Sequence, residues 1–134
     1  MQLHQAWSGL IQKVEEENPD LVQNVALNLI RLFENSNIRK RTFFPLNLLS
    51  LFGDLLLVKF IIENNMVKSL SKNCDLGRTP MHCATYSGHT EIVKALIECP
   101  ENLNAPDNDG WTPIFFAAGN GHIAIVNMDS LLFI

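Results

Sequence analysis

The sequence predicts an all-α solenoid in which units of one β-turn and a helix–turn–helix hairpin stack side by side behind an N-terminal helical cap. The main observation is a repeat. The segment from Gly77 to Ala84 returns 33 residues later as Gly110 to Ala117, and Ser87-Gly88-His89 returns at the same interval as Asn120-Gly121-His122. A period of this length is typical of repeat proteins, whose units bury their apolar sides only against their neighbours. The second observation is that 134 residues with 47% hydrophobic content suit one packed domain.

Two amphipathic helices are expected in residues 1–38, ahead of the repeats. Asn18-Pro19 is expected to end the first helix, and Asp20 to cap the second. The apolar face of the first helix consists of Leu3, Trp7, Leu10, Ile11 and Val14, and that of the second consists of Val22, Val25, Ala26, Leu29, Ile30 and Phe33. We interpret the pair as a cap over the first repeat. A separate partner-binding pair and a strongly diverged repeat are the alternatives.

The end of the first N-terminal helix carries a run of negative charge. Glu15, Glu16 and Glu17 oppose the helix dipole near its C-terminus. This arrangement favours either fraying of the helix end or contact with a basic partner.

Three repeat units of unequal quality are expected in residues 39–134. The first unit, 39–72, is degenerate, because Phe44 and Asn47 replace the threonine and the histidine of the motif. It also stands 35 residues before the second, which indicates a two-residue insertion. The second unit, 73–106, matches the pattern best, and the third, 107–134, is truncated.

The third unit keeps the pattern only as far as Val126. Asp129 and Ser130 then occupy positions that Leu96 and Ile97 fill one unit earlier. Repeat arrays normally end in a polar capping unit, and none is recognisable here. We therefore expect the chain to be a fragment or short form of a longer repeat protein.

Each motif residue has a predicted structural role. Thr79 and Thr112 precede prolines that suit the first helical position, so their hydroxyl groups are expected to accept from the first free amides of a helix. Gly88 and Gly121 are expected to end the first helix of a unit in a left-handed conformation. The residues assigned to this structural motif are Thr79, Pro80, His82, Gly88, Thr112, Pro113 and Gly121.

The combination of T-P-x-H-x-A with G-H-x-x-I-V, as in Thr79 to Ala84 and Gly88 to Val93, resembles the ankyrin repeat. The resemblance implies one β-turn and two antiparallel helices per unit and a non-catalytic role in protein–protein interaction. It also implies that the motif histidine, His82, forms hydrogen bonds around the turn. Phe115 takes that place in the third unit, where only packing is expected to remain.

The resemblance further implies that partners bind the β-turn fingers and the exposed side of the first helices. The positions that carry over are Asp75, Leu76, Arg78, Asn108, Asp109 and Trp111 on the fingers, with Tyr86, Ser87, Gly119 and Asn120 on the helices. Trp111, Tyr86 and Arg78 are of the residue types most enriched at interface hot spots. The acidic run from Asp107 to Asp109 favours a basic partner segment.

The net charge and the cysteine content limit the kinds of partner and the cellular compartments that are expected for this protein. The formal net charge of −4 argues against a nucleic-acid-binding surface, and the basic run from Arg39 to Arg41 is short. Cys74, Cys83 and Cys99 form no C-x-x-C pair, which favours reduced thiols. No signal-peptide pattern is present at the N-terminus. We expect a monomer in the cytosol or nucleus whose partner is another protein.

The leucine-rich stretch from Phe43 to Ile62 has about the length of a membrane span. Asp54 and Lys59 within it make insertion unfavourable, at roughly 2.5–3.5 kcal/mol for each charge. The repeat register explains the same residues as a helical hairpin, so no membrane span is expected.

No pattern in the sequence indicates catalysis, a cofactor or a metal site. His82 and Cys83 are neighbours in sequence, but adjacent helical residues point about 100° apart. Phosphate-loop, metal-ligand and nucleophile-elbow patterns do not occur. The alternative to a binding module is a substrate or regulatory subunit of an enzyme. Asn104 follows Leu96 by eight residues, part of a pattern that resembles asparagine-hydroxylation sites of ankyrin proteins, although Asn102 stands where an acidic residue is usual.

Overall fold

The computed structural model describes residues 3–35, 43–71, 76–99 and 104–128, and it shows stacked helical pairs. The helices are α1 (Leu3–Glu17), α2 (Val22–Glu34), α3 (Pro45–Phe52), α4 (Leu55–Glu63), α5 (Val67–Leu70), α6 (Pro80–Ser87), α7 (Thr90–Ile97), α8 (Pro113–Gly119) and α9 (Ile123–Val126). No strand occurs within these ranges. The predictions for Arg39 to Arg41, Cys74, Asp75, Asn102, Asp129 and Ser130, and for the side chains of Leu3 and Phe33, fall outside the described residues.

The first helix of the N-terminal pair buries most of its predicted apolar face. In the second helix Val25 is buried as predicted, whereas Ala26 and Ile30 are exposed. Leu10 and Val14 are fully buried, and Trp7 is nearly so, with its Nε1–H donating to the Phe43 carbonyl oxygen at 3.2 Å. The helix α1 ends at Glu17, directly before Asn18-Pro19.

The predicted cap at Asp20 is wrong. Residues Pro19–Leu21 form a turn of 3₁₀-helix in which the Leu21 N–H donates to the Asn18 carbonyl oxygen at 3.0 Å. The residue that precedes α2 is therefore Leu21, and it makes no side-chain cap. An N-cap residue normally has extended backbone, whereas the chain has already entered helical geometry here.

The N-terminal pair is joined to the first repeat through polar side chains at a buried point. Asn28, only 1% exposed, donates through Nδ2 to Asp54 Oδ2 at 2.8 Å. The other oxygen of Asp54 accepts from the Leu57 N–H at 3.1 Å and so caps α4. These contacts join the pair to the first repeat, while its role as a cap and its boundary at residue 38 stay predictions.

The first helices of the three units begin at equivalent corners. Phe44, Thr79 and Thr112 have φ of −72°, −89° and −87° with ψ of 156°, 170° and 163°. A proline follows each of them at the first helical position, where its missing amide hydrogen is not needed. The structure therefore contains three copies of one turn, although the first copy has no threonine.

Small side chains allow the first helices to pack closely. Ala84 and Ala117 are fully buried between α3, α6 and α8, which follow one another in the stack. The second helices form a parallel layer in which Ile92, Val93 and Leu96 are buried. The core thus runs along the stack between two layers of helices.

The glycine that follows a first helix is required for two reasons. Gly53, Gly88 and Gly121 have φ of +85°, +78° and +74°, the left-handed region that L-residues with a side chain disfavour. In addition, a Cβ on Gly53 would lie 2.6 Å from the His89 ring, and one on Gly88 would lie 2.5 Å from the His122 ring. In the third unit the helix already ends at Gly119, so Gly121 stands two residues beyond the helix rather than directly at its end.

The third unit is the least covered. Its second helix, α9, has four residues, and Ile123 is 70% exposed. Phe115, predicted to pack, is 53% exposed because no further unit lies over it within the described residues. Its counterpart His82 is fully buried beneath the third unit.

The leucine-rich stretch 43–62 forms α3 and α4, which are separated at Gly53. Among the helices of the described ranges, none combines the length and apolar character needed to cross a membrane.

Candidate functional site

Three large aromatic side chains lie half-exposed on the second and third units. Tyr86, Trp111 and Phe115, which we call the aromatic patch, are 50%, 47% and 53% exposed. Trp111 meets Phe115 edge to face with 5.3 Å between ring centroids, and Tyr86 meets Phe116 in the same way at 5.9 Å. Such pairs hold rings in defined orientations and leave their outer faces available for contact.

Phe116 lies beneath the patch and is held by three side chains of the second unit. The Arg78 guanidinium carbon lies 4.8 Å from the centroid of the Phe116 ring, a cation–π distance. His82 and Tyr86 both meet the same ring edge to face, at 5.4 Å and 5.9 Å between ring centroids. Arg78 is therefore engaged within the protein, and its side chain is only 32% exposed.

The buried side chain of Asp107 stabilises the turn of the third finger. Its side chain is 1% exposed, and Oδ1 accepts from the backbone N–H groups of Asp109 and Trp111, each at 2.9 Å. Oδ2 lies 3.5 Å from Arg78 Nε. Burial works to raise the pKa of Asp107, but these backbone donors and the guanidinium together hold that pKa below its ordinary value.

The predicted acidic run therefore contributes less surface charge than expected. Asp107 is buried because a carboxylate at this point satisfies two turn amides, whereas Asn108 and Asp109 are exposed. Sequence reasoning missed this role. An Asp five residues before the motif threonine and two before another Asp is the signal of a side-chain-stabilised turn that could have indicated it.

His82 connects the second unit to the third. Its Nδ1 accepts from the Thr79 N–H at 3.0 Å, so the ring is the Nε2–H tautomer, and Nε2 donates to the Trp111 carbonyl oxygen at 2.8 Å. Thr79 in return accepts from the His82 N–H at 3.4 Å, which completes a capping box. Burial lowers the pKa of His82, against the opposing effects of the Trp111 carbonyl and Asp107.

Asn47 makes the corresponding connection one unit earlier. Its Nδ2 donates at 3.2 Å to the carbonyl oxygen of Arg78, the residue that corresponds to Trp111. The amide group of Asn47 thus preserves the bond between units that the loss of the motif histidine seemed to remove. Sequence reasoning missed it, although asparagine supplies the same kind of N–H donor.

The predicted hydroxyl cap at Thr112 is not formed. The Phe115 N–H donates instead to the Thr112 carbonyl oxygen at 3.1 Å. Phe115 has no ring nitrogen, so the reciprocal bond that fixes Thr79 has no counterpart in the third unit.

The histidines that follow Gly88 and Gly121 donate hydrogen bonds to carbonyl oxygens of the preceding unit. His89 Nε2 donates to the Leu51 carbonyl oxygen at 3.1 Å, and His122 Nε2 donates to that of Tyr86 at 3.0 Å. Asn120, a predicted binding residue, also donates to the Tyr86 carbonyl oxygen at 3.0 Å. Its side chain is exposed but already serves the contact between units.

The other predicted binding positions differ in accessibility. Leu76 and Ser87 are half-buried, and Gly119 is exposed. The Leu76 carbonyl oxygen accepts from the Asn108 N–H at 2.9 Å, which ties neighbouring fingers together. Asn104 is exposed on a turn, and its hydroxylation stays a prediction.

Two residue types that often carry chemistry, cysteine and metal-binding side chains, can be placed in the structure. Cys83 is buried, and the part of the chain that the structure describes contains no cluster of three or more His, Cys, Asp or Glu side chains suited to a metal ion. Stacked helical hairpins with turn fingers and exposed aromatic side chains define a repeat solenoid of the protein-binding class.

The comparison with protein families specifies this class further. The family model for ankyrin repeats (3 copies) matches residues 10–107 and 46–128, and the chain belongs to the ankyrin-repeat family. The first match begins inside α1, so it includes most of the N-terminal pair.

Individual relatives share parts of the repeat region. The chain is 39% identical over 77 residues to the 26S proteasome non-ATPase regulatory subunit 10 of Dictyostelium discoideum, a match over 57% of this chain and 33% of the relative. It is 40% identical over 52 residues to Rabankyrin-5 of Mus musculus, covering 39% and 4% of the two chains. Protein phosphatase 1 regulatory subunit 12A of Mus musculus is 45% identical over 42 residues, or 31% and 4%. The chain thus spans a third or less of these relatives, two of which are named as regulatory subunits.

Proposed function

We propose that this ankyrin-repeat chain is a non-catalytic protein-interaction module that binds its partner through the aromatic patch. One observation carries the proposal: Tyr86, Trp111 and Phe115 are each about half-exposed on adjacent units. Trp and Tyr are enriched at interface hot spots, and neighbouring exposed apolar side chains can mark an interaction site. The family is generally non-catalytic, which agrees with a role in binding.

The position of Trp111 is fixed before any partner binds. Its N–H donates to Asp107 and its carbonyl oxygen accepts from His82 Nε2, so the backbone at this residue is held on both sides. A side chain presented by rigid backbone loses little conformational entropy on binding. Trp111 is therefore the proposed centre of the contact, with Phe115 packed against it and Tyr86 on the preceding unit.

The proposed partner is another protein with a basic segment near an apolar anchor. Asn108 and Asp109 are exposed on the finger next to Trp111, and they add polar and negative groups to its edge. In this proposal the module acts as a monomer in the cytosol or nucleus and requires no cofactor, metal or nucleic acid. The half-buried Arg78, Leu76 and Ser87 contribute at the rim.

The test compares partner capture by the parent chain and by the double variant Trp111→Ala with Tyr86→Ala. We expect a partner identified by quantitative mass spectrometry to be depleted at least about tenfold, the effect of losing 1.4 kcal/mol or more of binding free energy. Leu56→Ala is the matched control, because Leu56 is a similarly exposed apolar residue (61%) on α4, away from the patch. Equal capture by the double variant, with an unchanged melting temperature, would overturn the proposal.

The second candidate function is that of an enzyme substrate modified at Asn104. The observation in its favour is the exposure of this side chain on a turn beside the third finger. Incubation of the folded chain with an asparagine hydroxylase, followed by peptide mass spectrometry, is expected to show one added oxygen on Asn104. Unmodified Asn104, with a control ankyrin substrate fully modified, would eliminate this function.

A further inference from the structure

The N-terminal pair contains an apolar groove that the aromatic patch does not involve. The groove is lined by Ile11, Val14, Val22, Val25, Ala26 and Leu29. Its volume of about 110 Å³ is of the order of a cavity that accepts one benzene-sized group. It is therefore large enough for one anchoring side chain.

The groove opens on a side of α2 that does not face the repeats. Asn28 marks the side that faces them, since it is 1% exposed and bonded to Asp54. Ala26 lies about 160° around the helix from Asn28, given about 100° per residue. Ala26 is exposed, and the adjoining Ile30 is 51% exposed.

The apolar positions of α2 at the groove, of which Val22 and Leu29 are half-buried and Ala26 and Ile30 exposed, have the spacing of a helix-packing stripe. Val22, Ala26, Leu29 and Ile30 stand at i, i+4, i+7 and i+8, the pattern with which one helix packs against another. Within the described residues no element lies over Ala26 or Ile30. An occupant of this surface would thus be helical, with its own apolar stripe.

The charged residues around the groove indicate which charge its occupant should carry. Among residues 3–35 the basic side chains are Lys13 and Arg31, and the acidic ones are Glu15, Glu16, Glu17, Asp20 and Glu34. Lys13 pairs with Glu17 at 3.3 Å, and the Arg31 guanidinium carbon lies 6.0 Å from the centroid of the Phe52 ring. Glu15 is exposed and stands one helical turn beyond the lining residue Ile11 on α1, so we expect an acidic rim at this end of the groove.

We propose that this groove binds an amphipathic helix of another protein that carries lysine or arginine beside its apolar stripe. An acidic rim attracts such a helix and orients it, while the groove receives one apolar side chain. A second copy of this chain is the poorer occupant, because two acidic rims would then face each other. The site is independent of the proposed function at the aromatic patch.

The test uses two synthetic amphipathic peptides of about 18 residues, long enough to form a helix. Both have leucine at i, i+3, i+4 and i+7, and they differ only in carrying lysine or glutamate on the polar side. Fluorescence anisotropy with the full chain is expected to give a dissociation constant at least about tenfold lower for the lysine peptide. Ala26→Lys is expected to weaken that binding about tenfold, because it fills the groove and adds a positive charge.

Leu27→Lys is the matched control, since it makes the same charge change about 100° away on the same helix. We expect it to alter binding less than about threefold, well under the tenfold that corresponds to 1.4 kcal/mol. Glu15→Gln is a second variant that leaves the groove open, and it is expected to reduce the salt dependence of binding. The double variant at Trp111 and Tyr86 is expected to bind the lysine peptide normally, so the two proposals fail separately.

Three outcomes would overturn the inference. The first is equal affinity for the two peptides, and the second is equal binding by Ala26→Lys and Leu27→Lys. The third is self-association in analytical ultracentrifugation that Ala26→Lys abolishes, which would assign the groove to a second copy.

Discussion

His82 holds two repeat units together with the two nitrogens of one ring. Nδ1 accepts from Thr79 within the unit, and Nε2 donates to Trp111 in the next unit. The side chain is fully buried, so the loss of either bond leaves a polar group without a partner and without water. The chain itself supplies two replacements at this position, Asn47 and Phe115.

These replacements suggest a graded substitution series. His82→Phe, which copies the third unit, removes both bonds and is expected to lower the free energy of unfolding by about 2–4 kcal/mol. His82→Asn, which copies the first unit, retains a donor for the Trp111 carbonyl oxygen and is expected to cost about half as much. Urea denaturation measures both. Equal destabilisation by the two variants would show that the bond between units contributes little.

The same residue makes stability depend on pH. Burial lowers the pKa of His82 below its ordinary 6.5, so the unfolded chain binds more protons than the folded one below that pH. Protonation of Nδ1 would also remove the acceptor for the Thr79 N–H.

The free energy of unfolding is therefore expected to fall as the pH drops below about 6.5, the ordinary histidine pKa. Asp107 adds a second decrease at lower pH, because its depressed pKa stabilises the fold above its ordinary 3.8 and that contribution is lost as the folded-state pKa is passed. Urea titrations at several pH values measure this, and His82→Asn is expected to flatten the upper decrease. An unchanged slope in that variant would assign the effect to another group.

At the scale of the elements, each hairpin contains a glycine in a left-handed conformation, and the next hairpin covers this glycine in the first two units. Gly88 combines a left-handed backbone with the His122 ring 2.5 Å from the position of a Cβ. Gly121 has the same backbone sign, but nothing lies within 4 Å of its Cβ position. A comparison of the two glycines therefore distinguishes the cost of a side chain on a left-handed backbone from the cost of disturbing the contact with the next unit.

Gly88→Ala and Gly121→Ala are expected to differ in stability. Both variants place a side chain in a left-handed conformation, at roughly 1–2 kcal/mol. Gly88→Ala must also displace the His122 ring and its bond to Tyr86, and we expect a total of about 2–4 kcal/mol. Thermal melts measure the difference. Equal melting temperatures would show that the ring moves aside freely.

The elements also show what the sequence could predict. The helix starts at Pro45, Pro80 and Pro113 were predictable because proline and glycine act locally on the backbone. Asp107 and Asn47 were not assigned, because their partners are set by how the units stack rather than by neighbouring residues. At the proposed binding surface, Tyr86 and Trp111 are exposed as the resemblance implied, whereas Phe115, which was expected to pack, is also exposed.

Across the whole molecule, stability is expected to decrease toward the third unit. The second unit is covered on both sides, and His82, Thr85, Ile92 and Val93 in it are fully or almost fully buried. In a stack held by contacts between neighbours, a unit covered on one side opens more readily.

Hydrogen exchange followed by mass spectrometry is expected to show the strongest amide protection in α6 and α7. Protection in α8 and α9 should be weaker by at least about tenfold, which corresponds to 1.4 kcal/mol in the opening free energy. Uniform protection from α3 to α9 would instead indicate one cooperative unit.

In each pair of neighbouring units, a histidine ring packs against the glycine of the preceding unit. This contact limits where residues can be inserted into or deleted from the chain. An insertion between Gly88 and His122 that shifts the helices relative to each other would separate the His122 ring from Gly88. An insertion that only lengthens the loop between the two hairpins would leave this contact intact. By the same rule, a tandem duplication of residues 77–109, which copies one whole period, would add a layer in which each imidazole again has a glycine beneath it.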